Sequence, residues 1–255
     1  AAQPAAPSMH NLIKNQGYLM QDTWLKGVHT APNIQTNPET YEIENRALDP
    51  EQKLITTLQD CADWSGKLAV DLGAGTSFWV PHLAHTARHV FSIEPDPNLR
   101  ILGMQRLVEQ RILNASILAG SAEQTMLADH SVDVVHARFA YFWGPGCEAG
   151  IKELERIITP GGSACIIDND LEEGTFAHWL KQLPSNYQRN PDTLHAFWTS
   201  HGFTEHTVRS CWQFEQRQDL EDVVRLEFAD AADQIIASHS GTTVDYSFKI
   251  YHRTF

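Results

Sequence analysis

The sequence predicts an α/β chain built on a doubly wound, mostly parallel sheet whose last strand runs antiparallel. Three observations carry that expectation. Short apolar runs alternate with longer helical segments over residues 67–167, the rhythm of strands covered by helices on both faces. A glycine turn, Gly73-Ala74-Gly75, joins the first run to the first such helix. Near residue 250 the pattern alternates strictly: Val244, Tyr246, Phe248 and Ile250 fall on one face, Asp245, Ser247 and Lys249 on the other. That alternation belongs to a half-solvated strand.

Taken in order, residues 1–48 read as an N-terminal arm. Ala1 to Ser8 are small residues and prolines, expected to be a vector-derived remnant, with Met9 as the natural start. The rest of the arm has no sustained period and predicts irregular chain with a short helix near residues 20–25. Asp49-Pro50-Glu51 then supplies an N-cap, a proline at the first helical position and an acid in the first turn. Leu54, Ile55, Leu58, Cys61 and Ala62 continue that helix on one apolar face. Strands are predicted at 68–72, 89–93, 116–119, 132–136 and 164–167, with helices near 78–87, 98–112 and 147–157. Pro160-Gly161-Gly162 is expected to turn the last of these helices into its strand. Residues 171–202, aromatic-rich and broken at Pro184 and Pro191, read as a helical lid over a substrate. Residues 218–238 predict one long amphipathic helix. The whole of 49–255 reads as one domain.

Composition narrows the partners. With 42% hydrophobic and 20% charged residues in 255, the chain has the balance of a globular protein. No apolar run approaches the roughly 18 residues of a membrane span. Lys and Arg number 19 against 32 Asp and Glu, a formal charge of -13 with no basic cluster, which disfavours nucleic acid and anionic lipid. Cys61, Cys147, Cys165 and Cys211 form no CxxC pair, so reduced packing thiols and a cytoplasmic location are expected.

The segment Leu68-Ala69-Val70-Asp71-Leu72-Gly73-Ala74-Gly75-Thr76-Ser77 holds the chemistry. A strand, a glycine turn and a helix start let the backbone approach a ligand closely. Asp71 sits two residues before the first glycine, a poor neighbour for pyrophosphate but a good one for a cationic group. The third glycine of a dinucleotide fingerprint is missing, since Phe78 stands three after Gly75. Glu94 ends the next strand, where a ribose-binding acid belongs.

These residues resemble the first motif of class I S-adenosylmethionine-dependent methyltransferases, apolar-Asp-apolar-Gly-x-Gly-x-Gly/Ser, nearest the small-molecule type of quinone biosynthesis. The resemblance covers about residues 50–170 and implies a Rossmann-like seven-stranded sheet with S-adenosyl-L-methionine as cofactor. It implies that Gly73, Ala74, Gly75 and Thr76 cradle the amino-acid end, their amides receiving its carboxylate while Asp71 favours the ammonium. Glu94, with Pro95 beside it, would hold the ribose hydroxyls. Ser121, Ala122 and Glu123 resemble the adenine-contacting turn, with Ser121 in place of the usual aspartate. Ala137, at the exit of the fourth strand, counts among the cofactor contacts, and Tyr41 or Arg46 would reach the carboxylate from the arm.

Acceptor-side candidates follow strands four and five, because ligands sit beyond the carboxyl ends of parallel strands. Tyr141, Arg138 and Asp168 are the catalytic candidates, and Phe139, Trp143 and Asn169 the substrate-binding ones. Against this stands the plainer reading that these aromatics are core. Asp168-Asn169 is similar to the metal-binding pair of catechol-type methyltransferases, but Arg138 stands where a further carboxylate is needed, so no metal is expected. His82, His85 and His89 lie on one predicted helix face without Cys or carboxylate and read as a solvated stripe. Pro145-Gly146-Cys147 reads as a helix start rather than a nucleophile, since the cytosine-methylating enzymes need Pro-Cys. Neither the Asn-Pro-Pro-Tyr-like tetrapeptide nor the double-glutamate loop of protein arginine methylation is present. The expected partner is a small, aromatic or apolar methyl acceptor. A cofactor-binding protein of the same fold that transfers no methyl, and a nicotinamide-binding oxidoreductase, are the alternatives.

Overall fold

The computed structural model describes residues 24–29, 31–184 and 189–255. Met9, residues 1–8 and most of the helix expected near 20–25 therefore lie outside the described residues. The expected irregular arm is overturned at its second half. Helix α1 (Pro32–Thr36) and helix α2 (Pro38–Ala47) both start on a proline at the first helical position. A proline there loses no hydrogen bond and has its φ preset for the helix, so Pro32 and Pro38 start helices rather than break them.

Helix α3 (Lys53–Cys61) begins later than Pro50. Leu48 bridges to Trp212, and the Asp49 amide donates to the Cys211 carbonyl, which ties the entry to the sheet. Asp49 still caps the helix, accepting from the amides of Lys53 at 3.1 Å and Leu54 at 2.7 Å. The alternation then follows: β1 (Leu68–Leu72), α4 (Val80–Ala84), β2 (His89–Ile93), α5 (Pro97–Glu109), β3 (Ala115–Leu118), β4 (Val132–Arg138), α6 (Glu148–Ile157) and β5 (Ile158–Asn169). These strands are parallel to one another, as the apolar runs predict. Helix α4 is shorter than expected and His89 opens β2, so the three histidines do not share a helix face.

Pro160-Gly161-Gly162 does not turn the chain. It lies inside β5 as a bulge: Val132 pairs with Ile158 and Val134 with Ser163. Gly161, at φ 82°, supplies the left-handed residue the bulge needs.

The remaining elements are α7 (Gly174–Leu180), α8 (Pro191–Ser200), β6 (Thr204–Gln213), α9 (Arg217–Phe228), α10 (Ala232–Ser238) and β7 (Thr243–Thr254). Strand β6 went unread in the sequence because Val208 and Trp212 are its only buried positions. The long helix is broken at Ala229, whose φ is 41°, yet its apolar face is buried as expected through Leu220, Val223, Val224, Phe228 and Ile235. Seven strands pair in the order β3-β2-β1-β4-β5-β7-β6, with β7 antiparallel to both neighbours. The predicted α/β class and the antiparallel last strand are both found.

Each sheet face has its own apolar layer. On one, Phe176 packs 4.4 Å from the Tyr246 ring and 4.9 Å from Trp212. On the other, Trp198 stacks on Tyr251 at 4.9 Å. Trp179, Phe197 and Trp198, expected on a lid, are thus core residues, held by the burial that favours large rings.

Candidate active site

A cavity opens beyond the carboxyl ends of β1, β2 and β4, the crevice where doubly wound sheets bind ligands. Counting its mouth, it holds about 980 Å³. Its floor is the glycine loop. Gly73 and Gly75 have φ of 72° and 55°, and a Cβ on either would sit 2.4 Å from Ala140 Cβ or 2.7 Å from Ile34 Cδ1. Only glycine fits both the conformation and the space. Ser77, where the resembled motif more often has glycine, also takes a left-handed φ of 58°. Its hydroxyl is tied to Ser92 Oγ at 2.8 Å in the interior, which offsets part of that strain.

Glu94 stands at the end of β2 with both carboxylate oxygens held. Oε2 accepts from the Gly75 amide and Oε1 from the Asp96 amide, each at 2.8 Å. Burial pushes its pKa to about 7 in spite of those two donors. Asp96 in turn caps α5, accepting from Asn98 and Leu99 amides at 2.7 and 3.2 Å. Ser121 and Ala122 line the cavity on its far side, and the Ser121 hydroxyl donates to the Lys26 carbonyl of the arm.

The arm closes over this floor. Glu42 of α2 accepts from Thr76 Oγ1 and from Arg106 Nη2, both at 2.5 Å, clamping α2 to the glycine loop and to α5. Tyr41 and Asn45 line the cavity from the same helix, and Gly27, His29, Ile34 and Gln35 line it from the chain before.

The exit of β4 forms the opposite wall. Phe139 and Tyr141 have φ of 49° and 60°, so this short segment is coiled tightly enough to aim successive side chains at the cavity. Tyr141 donates its hydroxyl to Glu123 at 2.7 Å, and its ring lies 5.6 Å from His29. Burial, then the Glu123 bond, drives the Tyr141 hydroxyl well above its ordinary pKa, which keeps it a donor rather than a base. Trp143 stays 41% exposed at the rim, with the Arg189 guanidinium 5.3 Å from its ring. Arg138 lies over Trp79 at 4.2 Å.

The cavity therefore brings together Tyr41, Gly73, Ala74, Gly75, Thr76, Glu94, Pro95, Ser121, Ala122, Arg138, Phe139, Tyr141 and Trp143. It leaves out others that the sequence suggested. Asp71 alternates with Val70 and Leu72 and so faces the opposite side of the sheet, among Leu54, Trp79 and His136, rather than the loop. Ala137 is buried within β4 under the wall, and Glu123 acts only through Tyr141. Arg46 is exposed and lines a separate groove with Phe78 and Trp79. Asp168 is buried and paired with both terminal nitrogens of Arg189, so it cannot serve as a free base. Asn169 accepts from the Tyr246 hydroxyl, and it lines a different hollow beside Glu205 and Lys249. The loop amides are mostly spent as well. Gly73 and Ala74 donate to the Ile93 carbonyl, Gly75 to Glu94 and Ser77 to Ala74, leaving Thr76 alone.

Gly27, His29, Gln35 and Asn45 were missed, because an arm without period gives no clue to where it folds back. Proline at the head of α1 and α2 was the available signal.

The sheet order and the crevice define a nucleotide-type cofactor site on a doubly wound α/β scaffold. Comparison with known proteins makes it particular: the methyltransferase domain family model matches residues 70–166. An uncharacterized methyltransferase of Mycobacterium tuberculosis is 28% identical over 139 residues, 53% of this chain and 54% of that protein. The ubiquinone/menaquinone biosynthesis C-methyltransferase of Rubrivivax gelatinosus is 30% identical over 120 residues, 47% of this chain and 45% of that protein. The chain thus spans about half the length of these curated relatives. A SAM-dependent methyltransferase from Aquifex aeolicus shares the fold, with a TM-score of 0.55 at 15% identity over 84% of this chain and 97% of that one.

Proposed function

We propose that this chain transfers a methyl group from S-adenosyl-L-methionine to a small, partly aromatic acceptor. The observation that carries the reading is Glu94, fixed by two backbone amides at the lip of the glycine loop. Both of its oxygens retain lone pairs for vicinal ribose hydroxyls, and Gly73 and Gly75 present bare backbone to the cavity they line. The apolar Leu72, Pro95, Leu99 and Ala122 suit a purine edge-on, and Phe139, Tyr141 and Trp143 suit a planar acceptor. The aromatic acceptor also agrees with the quinone-biosynthesis relatives by name. The net charge of -13 supports a small molecule over a nucleic acid.

When bound, the cofactor supplies an activated methyl on a sulfonium. What remains for the protein is alignment and exclusion of water. Glu42 holds the arm shut against Thr76, which walls off the floor. Tyr141, locked to Glu123, offers a rigid ring face, and the Trp143 rim admits the acceptor. No described helix is long and apolar enough to cross a membrane.

The test is calorimetry with S-adenosylhomocysteine and with NAD. Binding of the first without the second is expected, and failure to bind S-adenosylhomocysteine overturns the reading. Transfer of labelled methyl into a metabolite extract then separates a methyltransferase from a non-methylating binder.

A further inference from the structure

We propose that Arg138 is the anion-receiving residue of the cavity, binding a carboxylate carried by one of the two molecules that meet there. The proposal rests on the cofactor reading above. The carboxylate belongs either to the cofactor's amino-acid end or to the acceptor.

Arg138 is the single Arg or Lys among the described residues lining the cavity. No described residue accepts a hydrogen bond from it, and no carboxylate forms an ion pair with it. Three other arginines that are not fully exposed are committed. Arg106 binds Glu42 and the Thr76 carbonyl, Arg156 binds Glu153 and Asp129, and Arg189 binds Asp168. A largely desolvated guanidinium without such a partner is costly, and its five donors match a carboxylate two at a time. The side chain is nevertheless held in place. Its guanidinium lies 4.2 Å from the Trp79 ring centroid, which fixes the plane of the fork. Asp71, on the neighbouring strand, lies in the small pocket behind it and offers a counter-charge whose Oδ2 has no hydrogen-bond partner. Arg138 is thus attracted from behind and open in front.

The loop strengthens the case. The amides that would receive a carboxylate at Gly73, Ala74, Gly75 and Ser77 are already donating inside the protein. Helix α4 starts only at Val80 and spans five residues, so no long helix N-terminus backs the loop. An anion entering the cavity has one fork of donors waiting, and it is Arg138.

The experiment uses the full chain and its Arg138→Gln variant, with folding checked by circular dichroism and melting. Calorimetry measures S-adenosylhomocysteine, 5′-methylthioadenosine (the same nucleoside without the amino-acid end), and benzoate added to the S-adenosylhomocysteine complex. A loss of about tenfold or more for S-adenosylhomocysteine, with 5′-methylthioadenosine unchanged, supports the cofactor carboxylate as the anion. Unchanged nucleosides with loss of benzoate support an acceptor carboxylate. No change in any of the three, or an equal loss for both nucleosides, overturns the proposal while wild-type nucleoside binding keeps the cofactor reading intact. Wild-type protein that binds neither nucleoside overturns the cofactor reading, and the proposal with it. If the Gln variant melts early, Arg138→Lys, which keeps the charge and loses the fork, is read by the same criteria.

Discussion

Glu94 presents to the cavity a carboxylate that the protein itself makes hard to ionise. Its pKa is pushed up to about 7 by burial, and the two amide bonds only partly oppose that. Affinity for S-adenosylhomocysteine should therefore rise as pH climbs through about 7 and level off above it, since the ionised form is the better acceptor for ribose hydroxyls. In Glu94→Gln, calorimetry across pH 5 to 9 should find weaker binding, by about tenfold or more, and a flat profile. Asp71 behaves differently, because it is buried away from the cavity and its Oδ2 accepts no hydrogen bond. Its pKa rises to about 6, with Arg138 opposing the burial. The folded state holds the proton more tightly than the unfolded chain, so the stability tied to it is present at low pH and lost as pH rises from about 4 through about 6. Asp71→Asn should remove that slope, read from denaturant curves at several pH values. The glycine turn and Glu94 were legible in sequence because their meaning is local: two φ values and one strand end. Asp71 was misjudged on the same strand because its position along the strand pointed to the loop while the two-residue alternation pointed the side chain elsewhere. Asp168 was misjudged because its partner, Arg189, lies 21 residues on in a segment with no period.

Helix α2 is the element on which the cavity depends most. Glu42 clamps it to the loop, and on its other side Glu44 meets Glu227 of α9. Burial, then the neighbouring carboxylate, pushes Glu44 well above its ordinary range, and Glu227 is raised too, with Asn33 donating to it at 2.8 Å. Two carboxyls in contact must share a proton. Both are raised, so the docking of α2 on α9 is strongest at low pH and weakens as pH rises. Limited proteolysis should find the arm cut faster at pH 9 than at pH 6, and Glu44→Gln should flatten that difference. Glu42→Ala should speed cleavage at both pH values and weaken the nucleoside, because the clamp to Thr76 is gone. Helix α7 depends on one ring. Phe176, buried against Trp212, Phe228 and Tyr246, should cost about 3–5 kcal/mol when changed to alanine, with urea unfolding as the measure. The parallel half of the sheet was readable because its apolar runs are continuous, and β6 was not because half of it faces solvent. The arm escaped the sequence reading since its helices are short and owe their stability to what they dock on rather than to their own pattern.

At the scale of the molecule, the cavity is assembled from pieces far apart in sequence: arm, glycine loop, β2 end and β4 exit. A ligand that touches all of them should stabilise the whole chain. S-adenosylhomocysteine at a hundredfold excess over its Kd should add about 2.7 kcal/mol, seen as a rise of several degrees in Tm by scanning fluorimetry. Topology carries one more consequence. Strand β7 threads between β5 and β6, so β6 touches the rest of the sheet only through a strand made after it. On a translating ribosome, β6 emerges with no strand beside it beyond the Leu48 bridge, and β5 presents a bare edge, until residues 243–254 have left the exit tunnel. Until then the nascent chain carries two open templates for pairing with other chains. Completion of the sheet waits on a single strand, the last of the seven in chain order.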